Sequence, residues 1–258
     1  MNYDEFYRWS VDEPDSFWAE QARLIDWQTP PQRICDNDHP PFTRWFVGGT
    51  TNLCHNAVDR HLKERAEQPA LIHVSTETGC EETYSFAQLH EQVQRTAAML
   101  RALGVGRGDR VLIYMPMIPQ AVFAMLACAR IGAIHSVVFG GFASVSLATR
   151  IEDAAPRLIV SADAGSRGGK LVPYKPPLDE AIRLSRHKPE TVLLADRGLV
   201  PMDLVSGRDH AWAPLAEQCR DAQVPCEWLP ATDISYTMYT SGTTGKPKGV
   251  QRDVGGYA

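Results

Sequence analysis

Residues 110–142 read RVLIYMPMIPQAVFAMLACARIGAIHSVVFGGF. Two short apolar runs, Arg110–Met115 and Ile134–Phe139, flank a nearly all-apolar stretch, Ala121–Arg130, that stops before Gly132. The outer runs have the length and residue types of strands; the middle one is long enough for a helix, with Gly132 placed to end it. Strands apolar at every position are buried on both faces, which is the signature of a parallel sheet covered by helices. The pattern extends both ways. Upstream, Leu71–Val74 reads as a strand, and Ser85-x-x-Gln88 is a capping box. It opens a helix with Leu89, Val93, Ala97, Leu100 and Leu103 along one side, stopped at Gly104. Downstream come a short helix around Leu147 to Asp153, strand Leu158–Ser161, helix Leu178–Arg186, and strands Thr191–Ala195 and Ile234–Tyr239. Alternation of this kind predicts an α/β fold: a doubly wound, mostly parallel sheet flanked by helices.

The first residues differ. Phe6, Tyr7, Trp9, Phe17, Trp18 and Trp27 recur at spacings near three and four, which predicts short amphipathic helices wrapping onto the main domain. Pro30, Pro31, Pro40 and Pro41 predict an irregular, extended segment after them. A net charge of −5 argues against general nucleic-acid binding. No apolar run approaches the length of a membrane span, and the N-terminus lacks the regions of a signal peptide, so the cytoplasm is the expected compartment. The six cysteines form no C-x-x-C pair and the histidines show no ligand spacing, so no metal site is expected.

Chemistry concentrates in Tyr239-Thr240-Ser241-Gly242-Thr243-Thr244-Gly245-Lys246-Pro247-Lys248-Gly249. Its glycines let backbone N–H groups approach an anion, its hydroxyls donate to phosphate oxygens, and Lys246 and Lys248 supply positive charge. A Walker A loop is ruled out, because the first glycine is too close to Gly245-Lys246 and Pro247 replaces the metal-binding hydroxyl. Composition alone leaves a plain surface turn equally open. In open α/β sheets ligands gather at the carboxyl ends of strands. Two more loops qualify there, Phe139-Gly140-Gly141-Phe142 and Gly165-Ser166-Arg167-Gly168-Gly169-Lys170. Taken alone, the second is a solvated turn more readily than a ligand site. His135 reads as a hydrogen-bonded core histidine.

The order Tyr84-Ser85-Phe86-Ala87-Gln88-Leu89, Gly108-Asp109-Arg110-Val111, Gly132 through Phe142, then Thr240 through Gly249, resembles the AMP-forming acyl-CoA synthetases of the adenylate-forming superfamily. Phe17-Trp18 and Asn56 through Leu62 resemble the acetyl-CoA/propionyl-CoA synthetase branch, and the tail Gly249 through Tyr257 its propionyl-CoA side. The resemblance implies an N-terminal extension over residues 1–66 and the first half of an adenylating large domain over 67–258. It implies that ATP and propionate or acetate give an acyl-adenylate, and that coenzyme A then takes the acyl group, with Mg2+ bridging phosphates. By position, Thr240, Ser241, Gly242, Thr243, Thr244, Gly245, Lys246 and Lys248 would hold ATP. Arg167, Gly168, Gly169, Lys170 and Gly141 would meet the nucleotide end of CoA. No catalytic residue and no protein ligand to a metal is implied within 1–258.

In such relatives the acyl pocket, adenine grip, ribose-binding aspartate, hinge and small C-terminal domain come later in the chain. Residues 1–258 alone are therefore expected to be inactive, and strand Ile234–Tyr239 to present an unpaired edge. A non-catalytic nucleotide- or CoA-binding module and a non-functional fragment remain open beside the ligase reading. The expected partners are small molecules, with no nucleic acid and no membrane.

Overall fold

The computed structural model describes residues 1–240 and 247–258. Its central element is β1 (Arg110–Met115), flanked by β2 (Ile134–Phe139) and β3 (Leu158–Ala162), both parallel to it. Beyond β3 lie β6 (Thr191–Ala195) and β7 (Asp209–Ala211), also parallel. Beyond β2 lie β8 (Ile234–Thr240), parallel, and β9 (Lys248–Asp253), antiparallel. The seven-stranded order is thus β7-β6-β3-β1-β2-β8-β9. The small hairpin of β4 (Ala164–Arg167) and β5 (Lys170–Pro173) stands outside this sheet.

Alternate residues of β1, β3 and β6 feed opposite cores, whereas β2 buries Val138 on one face and leaves Val137 and Phe139 exposed on the other, so it is not enclosed on both faces as its apolar run predicts. Val111, Ile113, Val160 and Leu193 face one side, under α1 (Phe86–Ala102), α2 (Pro119–Ile131) and α5 (Trp212–Gln218). Leu112, Tyr114, Ile159 and Leu194 face the other, under α3 (Ser144–Ala154) and α4 (Lys175–Leu184). Each fully buried Leu or Ile in these layers contributes on the order of 1.5–3 kcal/mol. Helix α1 opens on the Ser85–Gln88 capping box, with both reciprocal hydrogen bonds made. Helix α2 ends at Gly132 in the left-handed conformation. These elements and the doubly wound class are as the sequence predicts.

Several expectations need correction. Leu71–Val74 is a strand, but not of the main sheet: Pro69–Val74 pairs with Glu81–Ser85 in a separate antiparallel ribbon. The segment around the prolines is not irregular, because Arg33–His39 and Phe42–Val47 form a second ribbon that turns at Pro40-Pro41. Strand β8 is no free edge. It is sandwiched between β2 and β9, because the residues after the glycine-rich loop return as a strand; the margin belongs to β9. His135 Nδ1 is buried without a hydrogen-bond partner, since its ring stacks on Tyr236 at 5.5 Å rather than facing a polar group.

The N-terminal aromatics sit on two short helices, Tyr3–Asp12 and Pro14–Gln21, as expected. Phe17 is buried against Phe6 and Trp9, and Trp18 reaches Trp45 of the second ribbon. Two polar contacts join residues 52 and 59 to helix α2. Asn52, wholly buried, donates to the carbonyls of Ala129 and Glu227, both at 2.8 Å, and caps the short helix Leu53–Ala57. Arg130, buried at the end of α2, makes two 2.9 Å hydrogen bonds to Asp59. Burial alone would raise the Asp59 carboxyl, but hydrogen bonds from His90 and Arg130 hold it well below the usual carboxylate range.

Removing one partner of a buried pair strands the other charge, so Arg130→Met is expected to cost about 3–5 kcal/mol in urea unfolding. Pairing it with Asp59→Leu removes the stranded carboxylate. The double variant is expected to unfold much closer to wild type, and a midpoint as low as that of Arg130→Met would contradict this account.

Candidate functional site

The chain leaves β1 for α2 on one face of the sheet and leaves β2 for α3 on the other, so a crevice opens at the carboxyl edge beside β1. It is a cleft of about 350 Å3 lined by residues that include Phe139, Gly141, Phe142, Ser166, Arg167 and Tyr174. Gly141 and Arg167, singled out separately in the sequence, thus line one space. Gly168 and Gly169 form the tip of the β4–β5 hairpin with φ of 58° and 75°, a conformation that suits two consecutive glycines. Lys170 pairs with Arg167 across that turn, and all four residues are exposed. The two cations therefore flank an exposed two-residue turn.

Two tyrosines shape the floor. Tyr114 and Tyr174 lie with ring centroids 5.0 Å apart, and the Tyr114 hydroxyl donates to the Gly140 carbonyl at 3.2 Å. Burial, and then the neighbouring Tyr174, push the Tyr114 hydroxyl up to about 12, so it remains a donor at neutral pH. The Tyr174 hydroxyl fits against two glycines: a Cβ on Gly165 would stand 2.6 Å from it, and one on Gly140 would clash with it more severely.

Three charged residues hold the hairpin. The wholly buried Asp163 accepts from the amides of Ala164 at 2.7 Å and Leu199 at 2.8 Å. Arg197 lies 3.5 Å from that carboxylate, donates to the Ala164 carbonyl, and pairs with Glu77 at 2.6 Å. Glu77, from the distant ribbon turn, accepts the Ser166 amide at 2.5 Å. Sequence reading missed Asp163, Arg197, Glu77, Tyr114 and Tyr174. Only Asp163 carries a local signal, a carboxylate directly after a buried strand.

The glycine-rich loop leaves the same edge. Strand β8 runs parallel to β2, so Thr240 ends it on the side where Phe139 ends β2. Thr240 pairs with Lys248 at the root of the β8–β9 hairpin. Ser241, Gly242, Thr243, Thr244, Gly245 and Lys246 lie outside the described residues. Helix α3 touches both regions. The buried Arg150 guanidinium sits 4.0 Å over the Phe142 ring and 5.7 Å from that of Tyr239, and the Tyr239 hydroxyl donates to Asp153 at 2.7 Å. Phe142 belongs to the cleft and Tyr239 precedes Thr240, so one helix braces both loops.

The "AMP-binding enzyme" family model matches residues 58–258, and the "Acetyl-coenzyme A synthetase N-terminus" model matches residues 3–57. Proteins named propionate–CoA ligase from Escherichia coli and Salmonella typhimurium are each 62% identical over 258 residues, covering 100% of this chain. The chain spans 41% of the length of both. The solved acetoacetyl-CoA synthetase from Streptomyces lividans superposes with a TM-score of 0.88 at 33% identity, covering 99% of this chain and 39% of that one.

The tight fit of Tyr174 predicts that Gly165→Ala destabilises by about 1–3 kcal/mol, an overpacking cost that Tyr174→Phe should partly recover. Equal denaturation midpoints for Gly165→Ala and wild type would show that the hairpin yields freely. His135 gives a pH signature. Burial pushes its imidazole down from 6.5 to about 4. Between those values the unfolded chain binds more protons than the folded one, so stability falls as pH drops from about 6.5 to about 4. His135→Phe is expected to flatten that limb by on the order of 1–3 kcal/mol in urea titrations at several pH values.

Proposed function

The chain belongs to the AMP-binding enzyme family, and on that footing we propose that it carries the phosphate- and CoA-handling part of a short-chain carboxylate–CoA ligase. The whole reaction in this reading activates propionate, or acetate, with ATP to an acyl-adenylate and passes the acyl group to CoA. The observation that carries it is the placement of two phosphate-suited loops at the carboxyl edge of one sheet: the exposed cationic tip at Arg167 and Lys170 after β3, and the root of the glycine-rich loop at Thr240 and Lys248 after β8. The names of the two relatives at 62% identity favour propionate.

The roles follow from the chemistry present. Arg167 and Lys170 bind the phosphate-bearing nucleotide end of CoA, Arg through a planar fork and Lys as a compact charge. Gly141, without a side chain, leaves room for the ligand in the cleft, and the tip glycines Gly168 and Gly169 aim the two cations. Thr240 and Lys248, together with Ser241 through Lys246, hold the ATP phosphates. Mg2+ bound to those phosphates would offset charge on the departing pyrophosphate. The substrate carboxylate is itself the nucleophile, so these residues need supply none. Residues 1–66 form an extension and 67–258 the first part of the adenylating domain. The cytoplasm is the proposed compartment; among the described residues no helix is long and apolar enough to cross a membrane.

Residues 1–258 by themselves are proposed to bind without turnover. In calorimetry the chain is expected to bind CoA and adenosine 3′,5′-bisphosphate, the nucleotide end alone. Losing a charge-assisted contact is worth about 1.5–3 kcal/mol, so Arg167→Ala and Lys170→Ala should each weaken binding roughly ten- to a hundred-fold. Binding unaffected by either variant would refute the assignment of the hairpin. Propionate-dependent ATP–pyrophosphate exchange by the chain would refute the absence of turnover.

A further inference from the structure

The ribbon formed by Pro69–Val74 and Glu81–Ser85 is patterned backwards. In its register Leu71 opposes Tyr84 and His73 opposes Glu82, and the Ser75 amide donates to the Cys80 carbonyl at 2.9 Å. The alternation of strands therefore puts Leu71, His73, Cys80, Glu82 and Tyr84 on one face. Leu71 and Tyr84 pack against the main core, so this is the inner face. The outer face carries Ile72 and Val74, exposed at 66% and 61%. His73, half-buried, and the exposed Cys80 and Glu82 share the face of Leu71 and Tyr84, while aliphatic Ile72 and Val74 stand in solvent; this violates binary patterning, and such violations mark functional positions.

A second observation points the same way. The His73 Nδ1 is buried and has no hydrogen-bond partner, although the Glu82 carboxylate lies only 3.4 Å away. The His73 Nδ1 or Nε2, the Cys80 Sγ and a Glu82 oxygen can be chosen within 4.8 Å of one another. Metal bonds of about 2.0–2.3 Å put tetrahedral ligand atoms roughly 3.3–3.8 Å apart, a distance that small side-chain rotations reach from here.

We propose that His73, Cys80 and Glu82 form a binding site for a borderline, thiol-accepting divalent cation of the Zn2+ class. One nitrogen, one sulfur and one oxygen ligand suit that class better than Mg2+ or Ca2+, which prefer all-oxygen sets. A thiolate and a carboxylate with a neutral imidazole balance a double positive charge. Three protein ligands leave a fourth position for solvent. The half-buried Tyr84, adjacent on the same face, has its hydroxyl raised by burial and by the Glu82 carboxylate, in line with the two lying close. A rival cluster, Cys54, Asp59 and Cys226, is unsuited to a cation, because the Arg130 guanidinium already occupies both Asp59 oxygens. The sequence hid the site because its ligands follow hairpin register and not C-x-x-C spacing.

The test uses the whole chain and Co2+ as probe. A thiolate ligand gives Co2+ a charge-transfer band in the near ultraviolet. One equivalent of Co2+ is expected to produce that band, and Zn2+ to abolish it by displacement. Cys80→Ser should remove the band, His73→Ala should weaken binding on the order of ten-fold or more, and Cys226→Ser should change neither. In the unmutated chain, Zn2+ should slow alkylation of Cys80 by iodoacetamide, a readout that needs no variant to fold. No band at stoichiometric Co2+, a band that survives Cys80→Ser, or alkylation of Cys80 unaffected by Zn2+ would each overturn the proposal.

Discussion

The architecture rests on β1 having to be apolar on both faces. From Val111 to Met115 its odd residues meet the α1–α2 layer and its even residues the α3–α4 layer, so none of these positions faces water. A strand so enclosed holds the sheet's centre, and the chain crosses over it in opposite senses, through α2 to one side and α3 to the other. The reversal opens the carboxyl edge beside β1. The candidate site is a consequence of how the sheet is wound, and most of the residues that line it come from loops at strand ends, over a floor of core tyrosines.

Those loops are then constrained one by one. Backbone N–H groups around β4 are answered by the Asp163 carboxylate, which is itself neutralised by Arg197. The Gly140 carbonyl is answered by Tyr114. Arg150 and Asp153 on α3 hold Phe142 and Tyr239. Buried polar groups of this kind do little for net stability, since each exchanges a bond to water for one within the protein. They fix geometry: any other arrangement leaves a donor or an acceptor stranded in a dry environment.

Much of this was legible in the chain. The runs around Val111, Val137 and Val160, the cap at Ser85 and the stop at Gly132 dictate element type through periodicity and caps, which are local properties. Both loops could be singled out as candidates from glycine, hydroxyl and cation content. Pairing partners were not. Leu71–Val74 looks like any other strand, and only register against Glu81–Ser85 removes it from the main sheet. Lys248–Asp253 contains three charged residues, one glycine and no apolar run, so nothing in it announces a strand that covers β8. Glu77, Asp163 and Arg197 meet across long sequence separations, and no spacing rule anticipates a contact that tertiary packing creates.

The hydrogen bond from the Ser166 amide to Glu77 spans 89 positions of sequence. The basic hairpin is therefore not a self-contained module, although residues 164–173 look like one. Moved into another scaffold of this family, it would bring its turn and its cations but lose the carboxylate that fixes its orientation. Exchange of this loop between related proteins is constrained to carry Glu77 and Arg197 with it, so three separated stretches of the chain are bound to change together or not at all.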